Sequence, residues 1–443
     1  MAAERKLFGT DGVRGPVGEL LTPELALSLG RAATESSLAS GVERPQVLVL
    51  RDTRQSGPML EAALAAGVAA AGGDVWLGGI LPSAAASILV RRHGLDLGVV
   101  VSASHNPWQD NGVKFFGPDG VKLGADAEAD IEARLAGAGE AGAIGRVRTL
   151  EGALDDYLRE LESCFRLDLS GRRVLLDCAN GAAFRAAPAA FARFGAEAEV
   201  IGAEPDGRNI NEGCGATHTE LLAGRIAESE AEIGFAFDGD ADRLMAVDRS
   251  GNVRDGDEIV ALAALHLRDS GRPLGGTAVT VMTNYGFHRA MDAADIEVAT
   301  TKVGDRHVIE ELLRRDWTLG GEQSGHIVWT EFAPTGDGIA AAMLVMEALC
   351  GRDLAEVAPI EKLPQRLESL RLADRGQLER ASGLWDAVER EAAALEGRGR
   401  VLVRPSGTEP LIRIMVEAPS ADECEQILGR LVETAKAELA TPA

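Results

Sequence analysis

The sequence predicts an α/β protein made of three similar α/β domains with mixed sheets and a small C-terminal α+β domain, arranged around a central cleft. Three observations support this prediction. A strand–helix–strand pattern occurs three times, each copy continues into a strand that ends in a polar loop, and the last part of the chain follows a different pattern. The predicted domains cover residues 1–151, 152–250, 251–365 and 366–443.

Each of the three copies opens on a short apolar strand, continues through a helix and closes on a second strand. Strands that alternate with helices indicate βαβ units, in which neighbouring strands run largely parallel. The strand pairs are Gln46–Leu50 with Asp74–Leu77, Arg173–Asp177 with Ala198–Ile201, and Thr277–Met282 with Ile296–Ala299.

Each copy then adds an apolar strand that is followed by polar side chains. Ligands of α/β sheets bind at the carboxyl ends of strands, so three such loops at equivalent places predict one shared cleft. The loops are Ser102–Pro107 after Gly98–Val101, Asp238–Arg243 after Ile233–Phe237, and Glu322–His326 after Trp317–Gly320.

The C-terminal pattern is strand–loop–strand. Val401–Val403 and Leu411–Val416 bracket the loop Arg404–Pro410, which combines hydroxyl groups, a glycine and an arginine, and Arg413 follows in the second strand. Arginine side chains and open backbone N–H groups suit the several oxygens of a phosphate monoester. A plain hairpin turn is the simpler alternative.

Composition excludes several classes of protein. The chain has 443 residues, is 46% hydrophobic and carries a formal charge of −24, which argues against general nucleic-acid binding. No apolar run has the length of a membrane span and the N-terminus lacks a signal-peptide core, so we expect a cytosolic protein without membrane partners. The five cysteines are widely separated and show no CxxC spacing, which indicates reduced thiols.

Three aspartates alternate in the second polar loop. If the loop is extended, Asp238, Asp240 and Asp242 point the same way, and three carboxylates in one place require a cation. Oxygen ligands favour Mg²⁺, then Mn²⁺ or Ca²⁺. An EF-hand is excluded because Arg243 and Arg249 stand where it needs Gly and Glu. The alternative is an acidic surface turn.

The first polar loop holds two serines, a histidine and an asparagine before a turn-forming proline. The chain has no GxSxG elbow and no second histidine placed for a hydrolase triad, so acyl transfer has little support. A serine that accepts a phosphoryl group beside a metal fits better. Lys114 follows this loop and is either a source of charge or an ordinary solvated lysine.

Together these motifs resemble the α-D-phosphohexomutase superfamily. Five segments match in the family's order: Gly9–Gly15, Ser102–Pro107, Asp238–Arg243, Glu322–His326 and Arg404–Pro410. Within the superfamily, the resemblance is greatest to the branch that acts on glucosamine phosphates. It is carried there by Asp110–Phe116, Lys302–Arg306 and Gly321–His326.

The resemblance implies a phosphoserine mechanism. Ser104 would carry the phosphoryl group, and one Mg²⁺ would bind Asp238, Asp240, Asp242 and a phosphoserine oxygen. Glucosamine 6-phosphate would become glucosamine 1-phosphate through a bound glucosamine 1,6-bisphosphate, for UDP-N-acetylglucosamine and cell-wall synthesis. The sugar phosphate would be the main partner, and a homodimer is suggested by the resemblance alone.

The resemblance also implies roles for the remaining site residues. Lys114 and Arg243 would stabilise the transferring phosphoryl group, and Arg14, Lys114, His105 and His326 are unranked candidates for the general acid and base. Closure would occur about a hinge near residue 365. The sugar contacts would be Gly304, Asp305, Glu322, Ser324 and His326, and the phosphate contacts Arg404, Ser406, Gly407, Thr408 and Arg413.

Three other interpretations compete. A phosphomannomutase or phosphoglucomutase would use the same residues. A metal-dependent phosphatase would use an aspartate of Asp238–Asp242 as nucleophile, but Asp242 stands where that motif expects Thr or Val, and Ser104 would have no role. A sugar-phosphate sensor without catalysis would need no phosphoryl acceptor.

Overall fold

The computed structural model describes residues 7–9, 11–137, 143–371, 376–405 and 411–439. Within this part of the chain, no helix combines the length and the apolar character needed to cross a membrane. The chain divides into two compact units, of which the first comprises Met1–Met282 and Ile296–Ala358 and the second Thr283–Asp295 and Pro359–Ala443.

The first sheet of the first unit is mixed. Its strands are β1 (Val13–Pro16), β2 (Gln46–Arg51), β3 (Asp74–Ile80), β4 (Leu97–Val101), β5 (Asp110–Phe116) and β6 (Val147–Thr149). They lie in the order β1-β5-β4-β2-β3-β6, with β5 antiparallel to β1 and β4 and the other neighbours parallel. The accompanying helices are α1 (Pro23–Ala39), α2 (Gly57–Ala70), α3 (Ser83–His93), α4 (Ala125–Arg134) and α5 (Ala153–Cys164).

The core of this sheet lies between its strands and the first two helices. Leu29 of α1, Leu64 of α2 and Val49 of β2 are fully buried in one apolar cluster. Helix α1 begins after Thr22, whose hydroxyl accepts a hydrogen bond from the N–H of Leu25, an N-cap that satisfies an otherwise free donor. Leu97, Val99 and Val101 of β4 belong to the same core, and the Ser102 loop follows directly from the last residue of β4.

The second sheet repeats the pattern with five strands. Its strands are β7 (Arg173–Asp177), β8 (Glu197–Ile201), β9 (Ile233–Phe237), β10 (Leu244–Asp248) and β11 (Val253–Arg254). Their order is β11-β10-β9-β7-β8, in which β7 is parallel to β8 and β9 while β10 is antiparallel to both of its neighbours. The helices that follow these strands are α6 (Ala183–Arg193), α7 (Glu220–Ile226) and α8 (Gly256–Asp269).

The third sheet has four strands. They are β12 (Gly276–Thr280), β13 (Glu297–Thr301), β14 (Leu319–Gly321) and β15 (Ile327–Trp329), in the order β13-β12-β14-β15. Only β15 is antiparallel to its neighbour. The helices of this part of the chain are α9 (Tyr285–Ala293), α10 (Asp305–Arg315) and α11 (Gly338–Leu349), of which α9 belongs to the second unit.

The second unit contains an antiparallel sheet in the order β16-β18-β17, formed by β16 (Gln365–Arg371), β17 (Arg400–Pro405) and β18 (Leu411–Glu417). Helices α12 (Gly376–Arg380), α13 (Ser382–Ala394) and α14 (Ala421–Leu439) accompany it. Its apolar core includes Leu384, Ile414 and Leu431, all fully buried. The predicted small α+β architecture of this region is confirmed.

Helix α9 lies between β12 and β13, as the third repeat predicts, and it is also attached to the C-terminal segment. The side chain of Asn284 exchanges two hydrogen bonds of 3.0 Å with the backbone of Leu363, and Glu417 accepts one of 3.0 Å from the N–H of Tyr285. These contacts attach the start of α9 to the C-terminal segment. The three mixed α/β sheets agree with the predicted fold class, and the four predicted domain ranges stay a prediction.

Candidate functional site

Two of the predicted polar loops meet inside the first unit. The Oγ of Ser104 donates a hydrogen bond of 2.5 Å to Oδ2 of Asp238, although 134 positions separate the two residues. Ser104 is 2% exposed and has a φ of 51°, in the left-handed region that side chains other than glycine rarely adopt. The hydroxyl of the loop at the end of β4 therefore faces the carboxylates of the loop at the end of β9.

The second serine of this loop has a structural role. The Oγ of Ser102 donates to Oδ2 of Asp52 at 2.6 Å and accepts from the N–H of Ser104 at 3.0 Å. Ser102 is fully buried. Both of these hydrogen bonds are made to groups outside Asp238, Asp240 and Asp242, so of the two serine hydroxyls it is that of Ser104 that donates to one of these three aspartates.

Asp238, Asp240 and Asp242 come together as predicted, but by another route. One carboxylate oxygen of each lies within 4.8 Å of those of the other two, and all three residues are buried. The loop is a turn rather than an extended segment: Ala241 has a φ of 60°, and its N–H donates to the carbonyl of Asp238 at 3.0 Å. The turn brings the three carboxylates together, where extended alternation was expected.

The environment of the three carboxylates fits a hard cation. Oδ1 of Asp240 and Oδ1 of Asp242 are buried and accept no hydrogen bond from the described residues. Oδ2 of Asp240 is held by the hydroxyl of Ser83 at 2.5 Å and by Nζ of Lys114 at 2.9 Å. Such outer contacts orient a ligand and leave its free oxygen for a metal.

The pKa of Asp238 also indicates a cation site at the three carboxylates. Burial and the neighbouring carboxylates of Asp242 and Asp240 raise the pKa of Asp238 to about 8. Three buried carboxylates therefore do not all ionise readily without positive charge among them. This all-oxygen set can bind a divalent metal ion, as hard cations prefer.

Lys114 is a buried centre of charge and not a solvated lysine. It lies on β5, and its Nζ contacts Asp11 and Asp240 at 2.9 Å and Asp242 at 3.3 Å. Burial opposes its charge, but these carboxylates outweigh burial and raise the pKa of Lys114 well above the ordinary value. Lys114 is therefore a fixed positive charge beside the triad.

Three residues near this centre were missed by sequence reasoning. Asp11 binds Lys114, Lys122 and Arg14, and Lys122 bridges Asp11 at 2.7 Å to Asp305 at 2.5 Å. Asp11 lies in the Gly9–Gly15 segment, in which the sequence points only to Arg14. Lys122 and Ser83 have no local sequence signal, because long-range packing alone brings them here.

Residues of the third polar loop reach the same carboxylates. Nδ1 of His326 lies 3.6 Å from Asp242, and its Nε2 lies 3.6 Å from Asp305. Burial opposes protonation of His326, but Asp242 and Asp305 raise its pKa above the ordinary value. Glu322 accepts a hydrogen bond of 3.0 Å from the N–H of Gly304, and Ser324 lies in the turn between Glu322 and His326.

The other predicted catalytic residues also lie near Ser104. Nδ1 of His105 is 3.3 Å from its Oγ, and burial, together with Arg243 and Arg14, lowers the pKa of His105 to about 4. Arg14 is paired with Asp11 at 2.6 Å and contacts Asn106. The N–H of Arg243 donates to Asp238, while its buried Nε finds no hydrogen-bond acceptor among the described residues.

The predicted phosphate contacts belong to the second unit. Arg404 on β17 and Arg413 on β18 are direct cross-strand partners. Burial and the charge of Arg413 lower the pKa of Arg404 below its ordinary value. Two like charges that face each other across a sheet repel, and an anion bound between the two arginines would relieve this repulsion. Ser406, Gly407 and Thr408 lie outside the described residues, and their role stays a prediction.

The buried Tyr157 is connected to the aspartate turn through Asp337 and Gly338. The hydroxyl of Tyr157 donates to Asp337 at 2.9 Å, and Asp337 caps α11 by accepting from the N–H groups of Ile339 and Ala340. The N–H of Gly338, at the start of α11, donates to the carbonyl of Ala241 in the turn at 2.9 Å. Burial raises the pKa of Asp337 to about 6, against the effect of these donors.

We expect Tyr157→Phe to lower the free energy of unfolding by about 2 kcal/mol at pH 8, because a buried hydrogen bond to a charged acceptor is lost. The native pKa of Asp337, raised to about 6, makes its ionisation cost stability as pH rises to that value. The Tyr157 hydrogen bond offsets this ionisation cost only at pH values above the pKa of Asp337. Tyr157→Phe should therefore lose less free energy of unfolding at pH 5 than at pH 8. Denaturant unfolding at pH 5 and pH 8 measures this dependence on pH, and the control Tyr285→Phe should not show it. Equal losses of stability at the two pH values would contradict a hydrogen bond from Tyr157 to charged Asp337.

Family comparisons match four consecutive segments of the chain. Four families match in order, described as phosphoglucomutase/phosphomannomutase alpha/beta/alpha domain I (residues 5–141), domain II (155–251), domain III (255–365) and the C-terminal domain (367–434). Together these matches cover nearly the whole sequence and each of the predicted polar loops.

Full-length relatives and solved structures indicate the same family as the four domain matches. Phosphoglucosamine mutases of Pelotomaculum thermopropionicum and Moorella thermoacetica are 47% and 48% identical to this chain, and each alignment covers 97% of it and 99% of the relative. A Burkholderia thailandensis phosphoglucomutase/phosphomannomutase family protein matches with a TM-score of 0.84 at 25% identity, over 99% of this chain and 98% of that one.

Aspergillus fumigatus N-acetylphosphoglucosamine mutase, solved with GlcNAc-6P and magnesium, has the same fold, with a TM-score of 0.68 at 18% identity over 98% of this chain and 96% of that one. The buried Ser104 and aspartate triad, the four domain matches and the full-length identity lead to one conclusion. The chain is a phosphohexomutase and belongs to the phosphoglucomutase/phosphomannomutase family.

Proposed function

We propose that this enzyme interconverts glucosamine 6-phosphate and glucosamine 1-phosphate and so supplies UDP-N-acetylglucosamine synthesis. The observation that carries the proposal is the Ser104 hydroxyl, which donates to Asp238 of the buried carboxylate triad, while the ammonium of Lys114 is bound to Asp240 of the same triad. Full-length relatives near 47% identity that are named phosphoglucosamine mutase support the choice of substrate. A cytosolic homodimer is part of the proposal, and light scattering measures its mass.

The proposed reaction moves a phosphoryl group twice. In the first transfer, the bond between phosphorus and Ser104 Oγ breaks and a bond to the sugar O1 forms, while the O1 proton passes to a base and Oγ takes up a proton. The glucosamine 1,6-bisphosphate then turns over, and its O6 phosphoryl group returns to Ser104, whose Oγ gives up its proton while O6 takes one up. A Mg²⁺ ion held by Asp238, Asp240, Asp242 and a phosphoserine oxygen would neutralise charge on the transferring group.

The residues of this chain supply the rest of the charge. Lys114 stays protonated among its carboxylates and suits stabilisation of the phosphoryl group, as does the buried Arg243. His105 is kept neutral close to Ser104 Oγ, which supports a role as proton acceptor. Arg14 and His326 are the other candidates for acid and base.

Binding of the sugar and of the second phosphate completes the proposal. Its contacts to the sugar are Gly304, Asp305, Glu322, Ser324 and His326, of which Asp305 and His326 already adjoin the carboxylate centre. Arg404 and Arg413, with the loop between them, are proposed to hold the phosphate that does not react.

We expect the purified enzyme with Mg²⁺ to convert glucosamine 6-phosphate at least about tenfold more efficiently than glucose or mannose 6-phosphate, since contacts tuned to one group at C2 discriminate by 1 to 3 kcal/mol. Initial rates followed by ³¹P NMR, primed with a sugar 1,6-bisphosphate, measure the preference. Faster turnover of glucose or mannose phosphate would assign the same mechanism to another hexose, and release of free phosphate would contradict a mutase.

A further inference from the structure

Arg54 is buried beside the Ser104 loop and makes an unusual set of contacts. It follows β2 and is 0% exposed. Its Nε donates to Asp52 at 2.8 Å, its Nη1 to the carbonyls of Pro107 and Asp110 at 2.5 and 3.0 Å, and its Nη2 to the carbonyls of Ser104 and Asn106 at 2.8 Å each. A guanidinium has five N–H groups, so every donor of Arg54 is used and four of them bind the segment from Ser104 to Asp110.

The carbonyl of Ser104 has a second donor. Nδ2 of Asn211, from the second sheet's part of the chain, reaches it at 2.9 Å and the carbonyl of Asn106 at 3.2 Å. The peptide group that follows Ser104 is thereby held from two sides. Gly239 also lies against it, since a Cβ there would come within 2.5 Å of this oxygen.

The backbone of Ser104 needs such support. A φ of 51° is costly for a residue with a side chain and persists only where the surroundings enforce it. Without its donors the loop can relax to a negative φ, which would turn Oγ away from Asp238. The direction of the hydroxyl therefore depends on contacts made to the carbonyl of the same residue.

We propose that Arg54 is a positioning residue that holds Ser104 in its left-handed conformation and aims Oγ at the carboxylates, with Asn211 as a weaker second support. The inference rests on the proposed function, in which Ser104 carries the phosphoryl group. Asp52 balances the charge of Arg54 and also binds Ser102, so this buried ion pair contacts both serines of the loop.

A lysine cannot replace this arginine. Its ammonium keeps the charge beside Asp52 but has three donors in place of five, and it lacks the planar fork that reaches four carbonyls. Arg54→Lys therefore removes the support of the loop without leaving Asp52 as a lone buried charge.

We expect Arg54→Lys to lower kcat about 100-fold, because a nucleophile displaced by about 1 Å loses that much. KM should change little, since Arg54 contacts the loop and not the sugar. Asn211→Gly, which retains the φ of 60° at that position, should lower kcat about tenfold and keeps the proposal testable if Arg54→Lys fails to fold. Leu64→Ala, a cavity in the same domain's core, should lower the melting temperature and leave kcat unchanged.

Hydrogen–deuterium exchange of residues 102–110 reports on the loop independently of turnover. Exchange there should rise in Arg54→Lys and Asn211→Gly but not in Leu64→Ala. Wild-type kcat in both loop variants, or a loss that only follows the unfolded fraction, would overturn the inference. If the wild-type enzyme itself does not interconvert the sugar phosphates, the proposed function fails, and the exchange measurement still decides the role of Arg54.

Discussion

We expect Ser104→Ala to lower kcat by at least about 10⁴-fold, because the chain then has no phosphoryl acceptor and the route through a covalent intermediate is closed. The hydroxyl that donates to Asp238 at 2.5 Å is removed, and the methyl group that remains leaves the buried site smaller by only one oxygen atom. The fold should survive, so binding of sugar phosphate should remain measurable by calorimetry. ³¹P NMR measures the loss of glucosamine 6-phosphate turnover. Intact mass after incubation with the bisphosphate measures the loss of protein phosphorylation.

Ser102→Ala is the matched control for this prediction. Its Oγ is bonded to Asp52 and to the N–H of Ser104, so its removal should weaken the loop but leave phosphorylation of Ser104 detectable by mass. If Ser104→Ala still takes up a phosphoryl group, or if Ser102→Ala alone abolishes it, the assignment of the acceptor is wrong.

Asp240→Asn should lower kcat about 10³-fold, since metal stabilisation of a transferring phosphoryl group is worth several kcal/mol and each 1.4 kcal/mol is tenfold. Asp240→Asn should also lose the stabilisation of the fold by Mg²⁺, which can be measured without turnover. Mg²⁺ at 100 times its dissociation constant should raise the wild-type free energy of unfolding by about 2.7 kcal/mol, and a chelator should reverse this.

The control for the metal site is Asp248→Asn. Asp248 is also a fully buried acid, but its oxygens are bonded to Asn252 and Arg254, away from the triad. This variant should be less stable than the wild type and still respond to Mg²⁺. An equal Mg²⁺ response in Asp240→Asn, or full activity in the presence of a chelator, would contradict a metal site at the triad.

Much of the site could be predicted because its residues follow strand ends. Asp238 directly follows β9, and Ser102 directly follows β4, so topology alone placed both loops at one edge of their sheets. The conformation of the loops could not be predicted. The aspartates converge through a left-handed Ala241, and no sequence period signals such a turn.

Lys114 shows the limit of local reasoning. By itself it had the pattern of a solvated lysine, yet it lies on β5 opposite Val100 of β4, which buries it among three carboxylates. Asp11 was missed for a related reason, since the pairing of β1 with β5 brings its loop to Lys114. The attachment of helix α9 to the C-terminal segment could not be predicted, because hydrogen bonds to Leu363 and Glu417 have no local signal.

The sequence by itself determined the α/β repeats, the different C-terminal region, the three polar loops and the family, because each depends on residues close together in the chain. Only the tertiary structure decided which serine faces the carboxylates and which cations neutralise them. Ser104 and Asp238 are 134 positions apart, and Lys114 and Asp240 are 126 apart. The energy of a buried charge depends on every neighbour within a few ångströms, and packing alone selects those neighbours.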